Sequence, residues 1–285
     1  VYLRDDVDDG REVHLQAALG QLTSLEDLTV CGRGRLFLQG GLHLPKVTSL
    51  ELGDWAGLVI DAALASLQEL IIFKADIDQL GGPHLQLPQL TSLELQQVKR
   101  FASVSWSQLT RLKYISADFH RRCTALDVAG LLVVTNLTSL HLRWPEKGAA
   151  WESAHAFLQA AAPTLKSLSL KWWQAPMAAQ SQALHRLTQL TRLSCGSPAI
   201  ISHLAPCQQL QQLWLYSHTA AALSIQQLGI LSELPNLRKL GFSGCLSQDD
   251  DRRRLLKVDF YARFCKGKSF MYGLDGGKCC MRCCL

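Results

Sequence analysis

One arrangement of apolar positions recurs ten times along this chain. An apolar residue is followed by others three, six and eight positions later. The first five copies are Leu22-Leu25-Leu28-Val30, Leu44-Val47-Leu50-Leu52, Leu64-Leu67-Leu70-Ile72, Leu87-Leu90-Leu93-Leu95 and Leu109-Leu112-Ile115-Ala117. The next five are Val134-Leu137-Leu140-Leu142, Ala162-Leu165-Leu168-Leu170, Leu187-Leu190-Leu193-Cys195, Cys207-Leu210-Leu213-Leu215 and Leu234-Leu237-Leu240-Phe242. Measured between third positions, they are spaced 22, 20, 23, 22, 25, 28, 25, 20 and 27 residues apart. A fixed period in the range of about 20–29 residues marks a stacked repeat array.

The last two apolar positions of a copy have strand period, so both side chains face one side. One copy cannot bury that side alone, and neighbouring copies must stack as a parallel sheet. Each leucine fully buried in this way contributes about 1.5–3 kcal/mol. Between the strands, Ala149–Ala162 is alanine-rich with Trp151, His155 and Leu158 at helical spacing, and Ala178–Leu190 and Ala220–Leu231 are similar. Pro45, Pro88, Pro163 and Pro235 each follow the first apolar position of a copy, where proline ends a helix before the strand begins.

Segments such as Leu90-Thr91-Ser92-Leu93-Glu94-Leu95 and Leu137-Thr138-Ser139-Leu140-His141-Leu142 give the chain its resemblance to the leucine-rich repeat family, over about residues 13–245. The resemblance implies an α/β leucine-rich repeat solenoid of about ten repeats, with a curved parallel sheet on the concave side and helices on the convex side. The chain departs from the family at one position. Five residues after the third apolar position the family usually carries Asn or Cys, whose side chain satisfies backbone groups of the turn. The occupants here are Arg33, Trp55, Ala75, Val98, His120, Pro145, Trp173, Pro198, His218 and Cys245, and the whole chain holds two asparagines, Asn136 and Asn236. The asparagine ladder is absent, so turn geometry is expected to vary between repeats.

The ends read differently from the array. Residues 1–21 look like a strand end followed by a helix, as if cut in mid-repeat, and Val1 stands where a methionine would begin a full chain. The solenoid is assigned to residues 1–245. Ser247 followed by Asp249, Asp250 and Asp251 suits a helix start, and Leu256, Phe260 and Phe264 recur on one face, so residues 246–264 are assigned to a capping helix. The Cys-, Lys- and Gly-rich stretch 265–285 is expected to be a disordered tail.

Charge narrows the function classes. The formal net charge is +5, of which residues 246–285 hold +4, so the main body is nearly neutral and a nucleic-acid partner is not expected. No apolar run approaches the roughly 18 residues of a membrane span. Of ten cysteines, Cys31, Cys123, Cys195 and Cys207 are scattered through the repeats as small apolar residues. Without an obvious bridged cap, a reducing compartment is expected: the cytoplasm, with the ciliary axoneme as the alternative.

Motifs for chemistry are incomplete. Gly267-Lys268-Ser269 lacks the earlier glycine of a phosphate-binding loop, since Ala262 stands there. Cys280 and Cys283 form a CxxC beside Cys279 and Cys284, with Cys245 and Cys265 as distant partners, and no metal is assigned. Arg282 occupies the cysteine position of a prenylation motif. Asn136-Leu137-Thr138 matches a glycosylation sequon at a strand entry. His203 and Cys207 are four apart, a spacing compatible with a dyad but more simply with a surface histidine and a buried cysteine. No cofactor and no enzymatic activity are expected.

The outward positions of the strands carry the functional expectation. Between the two inward residues lie Thr29, Glu51, Ile71, Glu94, Ser116, His141, Ser169, Ser194, Trp214 and Gly241; just after them come Cys31, Gly53, Phe73, Gln96, Asp118, Arg143, Lys171, Gly196, Tyr216 and Ser243. Glu51, Glu94 and Asp118 bias the first half acidic, and His141, Arg143 and Lys171 make a basic patch followed by Trp214 and Tyr216. Trp, Tyr and Arg dominate binding hot spots, and a rigid sheet presents them at little entropic cost. His141, Arg143, Lys171, Trp214 and Tyr216 are therefore the candidate partner-binding residues, for a protein or peptide partner. The chain is expected to act as a monomer or as a subunit of a hetero-complex. The alternatives are a structural or regulatory subunit, resembling those of axonemal dynein or ubiquitin-ligase adaptors, and the repeat part of an immune-type sensor.

Overall fold

A computed structural model describes residues 1–5, 11–15, 19, 23–39, 44–81, 85–98, 100–101, 109–119, 134, 136–143, 164–171, 185–196, 198–216, 225–243, 269–274 and 277–281. The chain divides into two compact units, Val1–Ala161 and Ala162–Leu285, so the division falls inside the span assigned to one array.

Among the described residues, the first two apolar positions of seven copies close a tight turn. The amide of the second donates to the carbonyl of the first, as in Leu67 to Leu64 at 3.1 Å, Leu90 to Leu87 at 3.2 Å, Leu190 to Leu187 at 3.0 Å and Leu210 to Cys207 at 3.0 Å. That turn explains the spacing of three. In four copies the residue two before the third apolar position is a threonine whose hydroxyl bonds the same position of the preceding copy: Thr48 to the Glu26 carbonyl, Thr91 to Gln68, Thr138 to Lys113 and Thr191 to Lys166, at 3.4, 3.2, 3.2 and 3.0 Å. The recurring Thr-Ser-Leu is thus a ladder at the strand entry. The two asparagines make equivalent single bonds in separate copies: Asn136 donates to the Thr110 carbonyl at 3.0 Å and Asn236 to Gln208 at 2.9 Å.

In the first unit the strands are β1 (Tyr2–Asp5), β2 (Glu12–His14), β3 (Asp27–Gly32), β4 (Arg35–Leu38), β5 (Ser49–Gly53) and β6 (Gly57–Ile60). They continue with β7 (Glu69–Phe73), β8 (Asp76–Leu80), β9 (Ser92–Val98), β10 (Arg100–Phe101), β11 (Tyr114–Phe119) and β12 (Ser139–Arg143). The odd-numbered strands and then β12 form the main sheet, in sequence order and all parallel. β2, β4, β6, β8 and β10 form a second parallel sheet. In these turns strands stand where helices were expected on the convex side. The reason is length and pattern: copies 20–23 residues apart leave room for only a short segment after the corner, and Leu36/Leu38, Leu58/Ile60 and Ile77/Leu80 within it are buried.

The corner joining the two sheets is also regular. Asp54, Lys74 and Gln97 each adopt the left-handed conformation, with φ of 64°, 51° and 54°. The next residue, Trp55, Ala75 or Val98, is wholly buried. The family's asparagine position is therefore filled by apolar side chains that extend the core. At Trp55 the indole Nε1 also donates 3.2 Å to the Val30 carbonyl, a backbone-satisfying bond of the kind the asparagine would make.

In the second unit the strands are β13 (Ser167–Lys171), β14 (Arg192–Cys195), β15 (Gln212–Tyr216), β16 (Lys239–Ser243), β17 (Ser269–Leu274) and β18 (Gly277–Met281). β13 to β17 are parallel neighbours in order, and β18 returns antiparallel on β17. A 3-10 helix at Pro198–His203 and helix α1 at Ile225–Ser232 lie between strands, the latter overlapping the helical segment expected over Ala220–Leu231. The helix expected over Ala149–Ala162, residues 178–184 of the one expected over Ala178–Leu190, and the capping helix over 246–264 lie outside the described residues; of the second, His185 and Arg186 are helical before a turn. Within the stretch 265–285, expected to be a disordered tail, the described residues are those of β17 and β18. Asp275-Gly276 separates the two strands, a hairpin signal between apolar runs that the compositional reading passed over. Among the described residues no helix is long and apolar enough to cross a membrane.

Candidate interaction surface

On the first unit's main sheet, the row Thr29, Glu51, Ile71, Glu94, Ser116 and His141 is in register across six strands. The strands begin one residue before the first inward position, so Asp27, Ser49, Glu69, Ser92, Tyr114 and Ser139 form a further outward row that the sequence reading did not include. Neighbouring groups hold the acids in place: Thr29 Oγ1 donates to Glu51 Oε2 at 3.2 Å, Ser49 Oγ to Glu69 Oε2 at 3.5 Å and Gln96 Nε2 to Glu94 Oε2 at 3.1 Å. Phe73 lies over Gly53, its register partner, where a Cβ would collide with the ring.

His141 and Arg143 alternate along β12 and share the outward face. The His141 ring tilts at 46° against Tyr114, 5.5 Å between centroids. Burial of Tyr114 raises its phenol pKa above the ordinary value. Arg143 is exposed, yet its Nη1 pairs with Asp118 Oδ2 on the neighbouring strand at 3.3 Å. The basic patch is therefore partly neutralised at Arg143 by one of the acids expected to mark a separate region.

On the second unit, Ser169, Ser194, Trp214 and Gly241 are in register across β13 to β16. Trp214 and Tyr216 share one face of β15, and both are half-buried. The sequence reading expected Trp214 to stand exposed. Its indole instead lies over Gly241, whose missing Cβ leaves room for the ring. Lys171 ends β13, and its side chain lies outside the described residues, as do Trp144, Trp172 and Trp173. The five candidates thus fall in two units, His141 with Arg143 in the first and Lys171, Trp214 and Tyr216 in the second.

The charges on the main-sheet strands separate by unit. Counted with the residue before each strand, β3, β5, β7, β9, β11 and β12 carry Glu26, Asp27, Glu51, Glu69, Glu94 and Asp118 against Lys113 and Arg143. Strands β13 to β16 contain no acid, and with the residue before each strand they carry Lys166, Lys171, Arg192, Arg238 and Lys239. Most of the latter were missed because they sit one or two residues ahead of the first inward position.

The His203–Cys207 pair has the character of packing. Burial pushes the Cys207 thiol up to about 12, so almost no thiolate is present at neutral pH. Among the described residues no group of three or more His, Cys, Asp or Glu is placed to hold a metal ion.

No protein-family model matches the chain, and no curated protein does. Among solved structures, an internalin from Listeria monocytogenes is similar over 90% of this chain and 86% of its own, at 20% identity and a TM-score of 0.50. At that identity the likeness is one of fold. Together with the stacked parallel strands, it defines the protein as a parallel β-solenoid of the leucine-rich-repeat type.

Proposed function

We propose that this protein is a protein-interaction module that engages a protein or peptide partner on the concave, outward face of its main-sheet strands. We read the ten sequence copies as ten turns of the solenoid, with helices on the convex side where the copies are longest. The observation that supports this reading most directly is Trp214 and Tyr216, side by side on one face of β15 and each half-exposed. Buried in a contact, such aromatic anchors are the residues that dominate association free energy. His141, Arg143 and Lys171 would add polar contacts, with Arg143 exchanging Asp118 for a partner carboxylate. A reducing compartment accords with Cys31, Cys195 and Cys207, which are buried thiols.

The test compares capture of partners from cell extract by the intact chain and by a His141→Ala, Arg143→Ala, Trp214→Ala, Tyr216→Ala variant, with folding checked by circular dichroism. A partner retained by the intact chain and lost by the folded variant supports the face as the site. The same partners on both would place binding elsewhere and overturn the assignment.

A further inference from the structure

Resting on that reading, we propose that the second unit's sheet face recognises an acidic peptide segment, with carboxylates two to four residues apart, seated beside Trp214. Three independent observations carry this. First, Lys166, Arg192, Arg238 and Lys239 are exposed, and none of them forms an ion pair among the described residues. They lie along the entry edge of β13 to β16, strands that contain no acid to compete for them. Second, Trp214 is laid on Gly241, so its indole forms a flat, half-exposed platform over that glycine, with Ser194 its register partner on the opposite strand. Third, the Ser194 hydroxyl is buried without a hydrogen-bond partner among the described residues, a cost normally removed by some group. A rotation about its χ1 would present it to an arriving carboxylate or peptide carbonyl, to which it would donate.

The spacing follows from the register. Arg192 and Lys239 flank Gln212 across β14 to β16, which places their backbones about 10 Å apart at the usual inter-strand distance. An extended peptide advances about 3.3 Å per residue, so acids two to four residues apart reach both cations. Nucleic acid is the other anionic macromolecule. It is disfavoured because the basic row is confined to the entry edge of four strands, too short for a phosphate-tracking footprint.

The experiment is a display selection of random 12-residue peptides on the intact chain, followed by fluorescence-anisotropy titration of the winners and of a 12-nucleotide oligouridylate. The expected result is winners enriched in Asp and Glu at that spacing. Their affinity should fall at least about tenfold in an Arg192→Glu, Lys239→Glu variant, whose substitutions are at exposed positions, and should weaken with added salt. Winners without acidic enrichment, winners bound equally by the variant, oligouridylate bound more tightly than any peptide, or no enriched peptide at all would each overturn the proposal. Non-acidic winners that are lost on Trp214→Ala would leave the interaction reading standing while overturning the acidic one.

Discussion

The indole nitrogen of Trp55 donates a hydrogen bond to the carbonyl of Val30, 25 residues earlier, while its ring lies over Gly32 and is fully buried. One side chain therefore extends the core and satisfies a backbone carbonyl at the corner, at the position where the family uses asparagine. Trp55→Phe keeps most of the ring volume and removes the bond to the Val30 carbonyl. The expected loss is about 1–3 kcal/mol in urea unfolding, and Trp55→Ala should cost about 3–5 kcal/mol. A Trp55→Phe protein as stable as the parent would show that the bond contributes nothing.

Phe73 over Gly53 is a coupled pair. A Cβ at residue 53 meets the Phe73 ring, so Gly53→Ala should force the ring aside and destabilise by about 1–3 kcal/mol. In the Phe73→Ala background the same substitution should be nearly harmless. A double-mutant cycle with a coupling below about 0.5 kcal/mol would refute the direct contact.

The threonine ladder predicts additivity. Thr91→Val and Thr191→Val each remove one side-chain bond to a preceding carbonyl, for an expected loss of about 0.5–1.5 kcal/mol. The two sites sit in different copies of a nearest-neighbour array, so the double variant should show the sum. A marked departure from additivity in chemical denaturation would argue against that picture.

Cys207 sets a pH dependence. Its folded pKa is raised by burial from 9.0 to about 12, so the folded state disfavours the thiolate. Above about pH 9 the unfolded chain releases this proton and the folded chain holds it, so stability is full below 9 and falls as pH rises towards about 12. At pH 8 the thiolate fraction in the fold is roughly a thousandfold lower than in the unfolded chain. Mass spectrometry of the Cys207 peptide after iodoacetamide treatment should show protection in native buffer and rapid labelling in urea. Fast native labelling would contradict this burial.

Several elements of the fold were legible because their causes are local. The Leu-x-Leu pairs gave the inward faces of β3, β5, β7 and β9, and Leu28, Leu50, Leu70 and Leu93 are all buried. The outer strands were missed although Gly57-Leu58-Val59-Ile60 and Asp76-Ile77-Asp78 are short and rich in strand formers, because the family resemblance favoured helices there. The candidate site was less legible. Outwardness could be read from strand period, but Arg143 meeting Asp118 and Trp214 lying on Gly241 depend on residues 25 and 27 positions apart.

Sequence by itself determined the period, the strand entries and which leucines face inward, since each depends on contacts within one copy and on the need to bury an apolar stripe. Only the tertiary structure decided which glycine each aromatic covers and which acid each arginine meets. Gly57 illustrates the reason: its lack of a side chain lets Arg35 cross the intervening strand to Asp78 at 2.8 Å, and the carboxylate in turn raises the arginine pKa. That contact spans 43 residues of chain. It exists because parallel strands stack in register, which places such residues within reach of one another at a distance the sequence alone does not state.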